Sequence, residues 1–239
     1  MNQSSDAQSY QVAMQKRVEG IRSRMAQACH RVGRDPAEVT LLPVSKTFGE
    51  TEIHAAINLG LKRFGENRTQ EIVQKGPLFK DCGIEWVVIG HLQTNKAKEV
   101  ARWASEVQSL DRLELAEALD RRLQLEGRVI DVLVQVKTSP EETKSGLEPS
   151  QLADFLRAVS GFSTLKVKGL MTMAILSEDQ EAVRACFRQL RQLRDEMAAL
   201  NIPNITLDRL SMGMSGDFEI AIEEGSTEIR VGTAIFGSR

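Results

Sequence analysis

Cysteine is scarce in this chain: Cys29, Cys82 and Cys186 are far apart, odd in number and outside any CxxC. That excludes a disulfide framework and a cysteine-based zinc site, and suits a reducing cytoplasm. The histidines His30, His54 and His91 have no metal-ligand spacing. Charge of one sign does not accumulate either. Lys plus Arg number 31 against 33 Asp plus Glu, a net −2, so no broad basic field exists for a phosphate backbone and nucleic acid is not an expected partner. No apolar run approaches the ~20 residues of a membrane span, and MNQSSDAQSYQ lacks the charged and apolar regions of a signal peptide. A cytoplasmic chain without a membrane partner is the expectation. Tyrosine occurs once, as Tyr10, and GxGxxG and GxxxxGK[ST] loops are missing, which removes the usual support for an open, doubly wound nucleotide-binding sheet.

What is present is ordinary globular material: 239 residues, 41% hydrophobic and 27% charged, enough for one sizeable domain. Residues 1–9 are polar and read as a flexible extension. A helical stripe at Val18, Ile21, Met25, Cys29 and Val32 follows. From Val39 to Ser45 the chain is short, apolar and partly β-branched, as a strand buried on both faces should be. Strand-like and helix-like segments then alternate. Strands are expected near 62–65, 84–90, 106–110, 129–136, 167–171, 206–212 and 227–231. The helices between them include one with Leu115, Leu119 and Leu123 four apart, and one at 180–200 with Val183, Phe187, Leu190, Met197 and Leu200 inward. Eight such repeats close a parallel barrel of ~250 residues. The fold expected is therefore α/β, a single (β/α)8 TIM barrel over residues 10–239 with an extra N-terminal helix.

In a parallel barrel the chemistry sits at the C-terminal ends of the strands. Strand 1 ends in Ser45-Lys46-Thr47. A lysine at the end of a buried strand is partly desolvated, which lowers an amine's pKa toward its nucleophilic form and permits a Schiff base; a plain surface lysine is the alternative. Leu210-Ser-Met-Gly-Met-Ser-Gly-Asp217 places hydroxyls and glycines before a helix starting near Ser215, and Gly232 and Thr233 follow strand 8. The loops after strands 7 and 8 commonly hold phosphate in this fold, although Ser215 as a helix cap explains the first segment equally simply. Lysine on one side of the mouth and a phosphate cradle on the opposite side suit a covalently bound phosphorylated aldehyde, of which pyridoxal 5′-phosphate (PLP) is the commonest.

Several blocks carry a more specific signal: Pro43-Val-Ser-Lys-Thr47, Phe64-Gly-Glu-Asn-Arg68, Ile89-Gly-His-Leu-Gln-Thr-Asn-Lys96, Lys144-Ser-Gly146, Gly169-Leu-Met171, the 210–217 segment and Arg230-Val-Gly-Thr-Ala-Ile-Phe-Gly237. In this order, from about residue 12 onward, they resemble the signature of the pyridoxal-phosphate homeostasis protein family, which is itself similar to the N-terminal, fold-type III barrel of alanine racemase. The resemblance implies Lys46 as the Schiff-base lysine and Ser215, Gly232 and Thr233 at the phosphate. It implies Arg230 at the pyridine nitrogen and Asn67, Ser211 and Met212 around the ring, with Met171 and His91 as further neighbours. Simpler readings stay open for four of these: Met171 and Met212 as core, His91 as a turn residue, Asn67 as a helix cap.

A non-catalytic carrier or buffer of PLP follows as the expected role. A permanent cation opposite the ring nitrogen disfavours pyridine protonation, and two-base racemisation needs an acid/base on the face opposite Lys46, where alanine racemase uses a tyrosine from a further domain. Here Tyr10 lies in or before the leading helix, and the sequence reaches Arg239 directly after the strand 8 segment. Apo-enzymes that use PLP are the expected acceptors, and a monomer the expected state. The alternatives are a weak racemase or another fold-type III enzyme, a Schiff-base aldolase, or a regulatory protein for which the cofactor is a signal. Lys144 reads as a solvated loop lysine or a second aldehyde-reactive amine, and Arg184–Arg194 as a solvated outer helix face.

Overall fold

Met14, Val18, Ile21, Met25, Ala28 and Cys29 are all buried along one face of α1, Asn2–Arg31, the arrangement that three-and-four spacing produces on a helix. The protein's computed structural model describes residues 2–141 and 144–237. It continues α1 back through residues 2–9, which read as an extension in the sequence. Met1 and residues 238–239, the ends of the expected units, lie outside the described residues, as do residues 142–143 of the loop after the fifth strand. Val32 departs from the expected stripe: it lies beyond the helix, 44% exposed, where Gly33 turns the chain at φ 69°.

Strands and helices then alternate. They are β1 (Thr40–Pro43), α2 (Glu50–Asn58), β2 (Arg63–Glu66), α3 (Thr69–Leu78), β3 (Glu85–Val88), α4 (Ala97–Trp103), β4 (Ala104–Leu110) and α5 (Leu113–Glu126). The second half comprises β5 (Ile130–Gln135), α6 (Leu152–Val159), β6 (Leu165–Met171), α7 (Gln180–Ala199), β7 (Ile205–Ser211), α8 (Phe218–Glu223), β8 (Glu228–Val231) and α9 (Thr233–Phe236). The sheet order is β1-β8-β7-β6-β5-β4-β3-β2, all parallel. A bridge from Val44 to Gly65 brings β1 back to β2, with Ser45 N–H donating to Gly65 O at 3.0 Å. The result is the expected (β/α)8 barrel, nearly closed.

The helix after β8 is a single turn, too short to cover the β8–β1 edge, and α1 fills that place by packing on α2, α8 and α9. It also holds the two helices behind the mouth. Tyr10 Oη donates to Phe236 O at 2.8 Å and Arg17 Nε to Ile235 O at 2.7 Å. Arg24 pairs with Glu219 at 2.6 Å and lies 4.6 Å over the Phe218 ring. From the other side Arg184, Arg188 and Arg191 of α7 grip Glu224 at 3.1–3.3 Å, so part of the basic stretch is an ion-paired clasp on α8. Leu200, expected inward, is 44% exposed just past α7, and Met197 is only half-buried. Among the described residues no helix is long and apolar enough to cross a membrane, and no group of three His, Cys, Asp or Glu could hold a metal ion.

Barrel closure demands close backbone approaches. A Cβ on Gly169 of β6 would lie 1.9 Å from Arg209 O of β7. Gly169→Ala should therefore cost about 1–3 kcal/mol through overpacking, lowering the thermal midpoint by roughly 2–12 °C. A Cβ on Gly20, in α1, would meet nothing within 4 Å, so Gly20→Ala should raise stability by about 0.4–1 kcal/mol. Paired melting curves check both signs.

Candidate functional site at the C-terminal end of the barrel

Beyond the C-terminal strand ends lies a cavity of about 390 Å³. The segment after β1 contributes Val44 and Lys46 to its wall, that after β2 Asn67, that after β3 Ile89, Gly90 and His91, and β5 Gln135 with Ser145 from the loop that follows. Met173 follows β6, Met214 and Ser215 follow β7, and β8 supplies Arg230, Gly232 and Thr233. Six of the eight residues expected at a cofactor thus meet at one cavity.

Ser211 and Met212 do not line it. Both are fully buried; β7 directs Ser211 into the barrel and Met212 into the core, and the chain reaches the cavity only after Gly213, at φ 97°, has turned it. Met171 is likewise core, while Met173, two residues on, lines the wall. Lys46 is exposed rather than desolvated: Val44 and Ser45 before it are buried and bonded to the neighbouring strands, and the chain emerges into a loop at Lys46. It is also not across the mouth from the glycine-containing loops: closing the barrel makes the first and last strands neighbours, and a Cβ on Gly232 would lie 3.2 Å from Val44 O. α8 begins at Phe218 with Asp217 as its N-cap residue, so Ser215 sits in a turn before the helix and is not its cap. The Asp217 carboxylate accepts from Met214 N–H at 2.6 Å and ties that turn; burial pushes its pKa up, against that bond and the Arg230 charge. Asn67 does not cap α3 either, since Arg68 holds that position. Gly90 instead packs on its backbone, where a Cβ would lie 2.2 Å from Asn67 O.

The floor is Arg230. Its residue is 4% exposed, with Nη1 donating to Ser211 Oγ and Nη2 to Thr172 O, each at 2.8 Å. Burial lowers its pKa to about 10, opposed by Glu228 and Asp217, so it stays a cation at neutral pH. The Ser211 hydroxyl passes its own proton toward Gln108 Oε1 at 2.7 Å, and the Gln108 amide donates to Glu106 at 2.7 Å and to Glu228. Below lies a lattice of ion pairs: Arg63 to Glu106 at 2.7 Å and to Glu228 at 2.6 Å, Arg209 to Glu106 at 2.7 Å and to Glu228 at 2.9 Å. These residues come from β2, β4, β7 and β8, strands that are not all neighbours, so the bonds cross the lumen. Burial opposes the Arg209 charge, yet Glu106 and Glu228 hold its pKa above the ordinary value; burial likewise opposes ionised Glu228, yet Arg209 and Arg63 hold it below. Sequence reading missed this lattice, as it missed Gln108, Gln135 and Met173; Ser145 and Met214 fell within the motif blocks but carried no expected role.

With this geometry in view, comparison with known proteins is direct. The alanine racemase N-terminal domain family matches residues 18–239, which gives the class: a barrel of the alanine racemase type. Alanine racemase from Clostridium difficile 630, 12% identical with a TM-score of 0.71 over 95% of this chain and 56% of its own, shares the fold. Nearer relatives are the pyridoxal phosphate homeostasis proteins of Aquifex aeolicus, 43% identical over 94% of this chain and 97% of that one, and of Escherichia coli K12, 40% identical over 92% and 94%. PipY of Synechococcus elongatus PCC7942, solved with PLP bound, is 35% identical with a TM-score of 0.79, covering 89% of this chain and all of its own. The chain belongs to the pyridoxal phosphate homeostasis protein family.

Two outcomes test the floor. Ser211→Ala leaves an Arg230 N–H and Gln108 Oε1 without partners and should cost about 1–3 kcal/mol, read as a lower urea midpoint at unchanged slope. The Glu228 pKa is depressed in the folded state, so its contribution is present above the unfolded value of ~4.3 and is lost as pH falls through the folded value. Denaturant titrations across pH 2–6 should show that loss in the parent protein and a smaller one in Glu228→Gln.

Proposed function

We propose that this chain binds pyridoxal 5′-phosphate covalently through Lys46 and serves as a carrier or buffer of it, without strong catalytic turnover. The observation that carries this reading is the convergence, in one cavity, of an accessible amine, a buried guanidinium and the two hydroxyl-bearing turns at Ser215 and Thr233. The residues fit the group. A 390 Å³ space suits a small ligand, Gly232 lets the β8 turn approach β1 where a side chain would crowd Val44, and the donors are of the kinds that an aldehyde, a phosphate and a ring nitrogen require. Bound PLP would supply an aldehyde carbon that an amine captures as a Schiff base.

Lys46 Nζ would be that amine, and its exposure leaves it open to displacement by a competing amine. Ser215, Gly232 and Thr233 would hold the phosphate through hydroxyl and backbone N–H groups. Asn67 would stand at the ring edge. Arg230, a donor with no proton to accept, would face the ring nitrogen and keep it unprotonated, which weakens the ring as an electron sink. Among the described lining residues the groups besides Lys46 that could act as a base reduce to His91, which is 53% exposed at the rim with Nδ1 3.7 Å from Asp111. PipY with PLP bound and the homeostasis relatives support the reading, which extends to release toward PLP-requiring apo-enzymes.

Borohydride reduction after loading with PLP, followed by peptide mapping, tests it. PLP should be fixed on Lys46 in the parent chain, and both the label and the visible absorption band should vanish in Lys46→Ala. A label on another lysine, with the band retained, overturns the assignment. Exchange of an amino acid's α-hydrogen for solvent deuterium should not exceed that of free PLP; exchange well above it overturns the non-catalytic part.

A further inference from the structure

Lys46 sits on a segment with an unusual backbone. Thr47, a β-branched residue, has φ 67°, a conformation that persists only when its surroundings impose it. What imposes it is an ion cluster behind the loop, on the outer side of the barrel. Ser45 N–H donates to Gly65 O at 3.0 Å and Ser45 Oγ to Glu66 Oε1 at 2.7 Å. The Ser45 carbonyl accepts from Lys75 Nζ of α3 at 2.9 Å, and Thr47 N–H donates to Glu71 Oε2 at 2.5 Å. Lys75 closes the set by donating to Glu66 Oε1 at 2.6 Å and to Glu71 Oε2 at 2.9 Å. The peptide groups immediately before and after Lys46 therefore end on the same three side chains, while the Lys46 amine stays outside the cluster.

We propose that Lys75, with Glu66 and Glu71, is a positioning residue for Lys46: it clamps both flanking peptides so that the amine is presented to the cavity from a fixed backbone. The proposal rests on the reading of Lys46 as the PLP-binding amine. The cluster is costly to maintain for any other purpose. Glu66 is fully buried, with Oε2 lacking a hydrogen-bond partner, and Lys75 is 8% exposed. Burial pushes Glu66 up to about 7, opposed by Lys75 and the Ser45 hydroxyl and reinforced by Glu71; Glu71 itself is held low by Lys75 and Thr47 N–H in spite of its own burial. An apolar contact would join β1 to α3 at lower cost, but it could not hold a carbonyl and an N–H at opposite ends of one residue.

The test uses the full chain with Glu71→Ala, Glu71→Gln and Lys75→Met, each checked by thermal melting. In cofactor-free protein, hydrogen exchange at the Thr47 amide should speed up at least tenfold in Glu71→Ala and Lys75→Met; Glu71→Gln, which keeps an acceptor oxygen, should stay near the parent rate. In PLP-loaded protein the same two variants should lose cofactor to excess semicarbazide at least tenfold faster, with an altered absorption band, and Glu71→Gln should rescue both. Unchanged exchange at Thr47 overturns the clamp. Faster exchange with parent-like release and spectrum overturns its positioning role. Should either Glu71→Ala or Lys75→Met fail to fold, the other decides. Peptide mapping of the reduced parent chain separates these outcomes from failure of the Lys46 reading: PLP on another residue removes the foundation, whereas PLP on Lys46 leaves the clamp to be judged by the variants.

Discussion

Two guanidiniums and two carboxylates neutralise one another inside the lumen, and the mouth of this barrel depends on that balance. The interior of a parallel barrel is ordinarily filled by branched apolar side chains. Here Arg63, Glu106, Arg209 and Glu228 occupy it instead, each bonded to both partners of opposite charge. An isolated charge at that depth would be expensive, and a paired one is tolerable only when its hydrogen-bonding positions are filled. Gln108 completes the layer and Ser211 links it to Arg230, so a further cation is carried at the cavity floor on an ordered chain of donors. The direction of every bond is set: Arg230 and Gln108 Nε2 can only donate, Gln108 Oε1 and the carboxylates accept. Ser211 must therefore accept from above and donate below.

That construction separates rigidity from access. The floor is buried and bonded on all sides, whereas Lys46 stands in a loop with its amine exposed. The loops proposed to hold phosphate are secured from behind: α1 secures α8 and α9, α7 clasps Glu224, and Asp217 ties the turn that carries Ser215. The leading helix is thus part of the site's support even though it contributes no lining residue.

The fold was largely legible in the sequence because its signals are local. Apolar runs mark the strands, leucines four apart mark α5, and strand ends locate the cavity, so Lys46, Ser215, Gly232 and Thr233 could be picked out by position, whereas Asn67 and Arg230 were legible only through the resemblance to a known family. What escaped was whatever depends on pairing at a distance. Arg63 and Glu228 are 165 positions apart, and nothing local distinguishes a charge facing the lumen from one facing water. Side-chain alternation explains the other departures. A strand residue and its successor point to opposite faces, so naming Ser211 and Met212 together as lining residues could not hold for both, and here β7 delivers neither. Lys46 read as desolvated because it follows a buried apolar run; that run is buried and bonded as far as Ser45, and only the next residue emerges into solvent.

The same geometry bears on binding against turnover. A catalytic site gains from groups that change their interaction as the reaction proceeds; the groups at the floor of this cavity are held by buried hydrogen bonds. Arg230 keeps its proton at neutral pH, the lumen lattice beneath it is internally neutral, and the residues expected at the phosphate are hydroxyls and backbone. Lys46 differs from that floor: its flanking peptides are bonded to Glu71 and Lys75, while its amine is exposed. That difference is what the proposed uptake and release of a ligand would use, because an exposed amine can gain or lose a bond while its flanking peptides stay held.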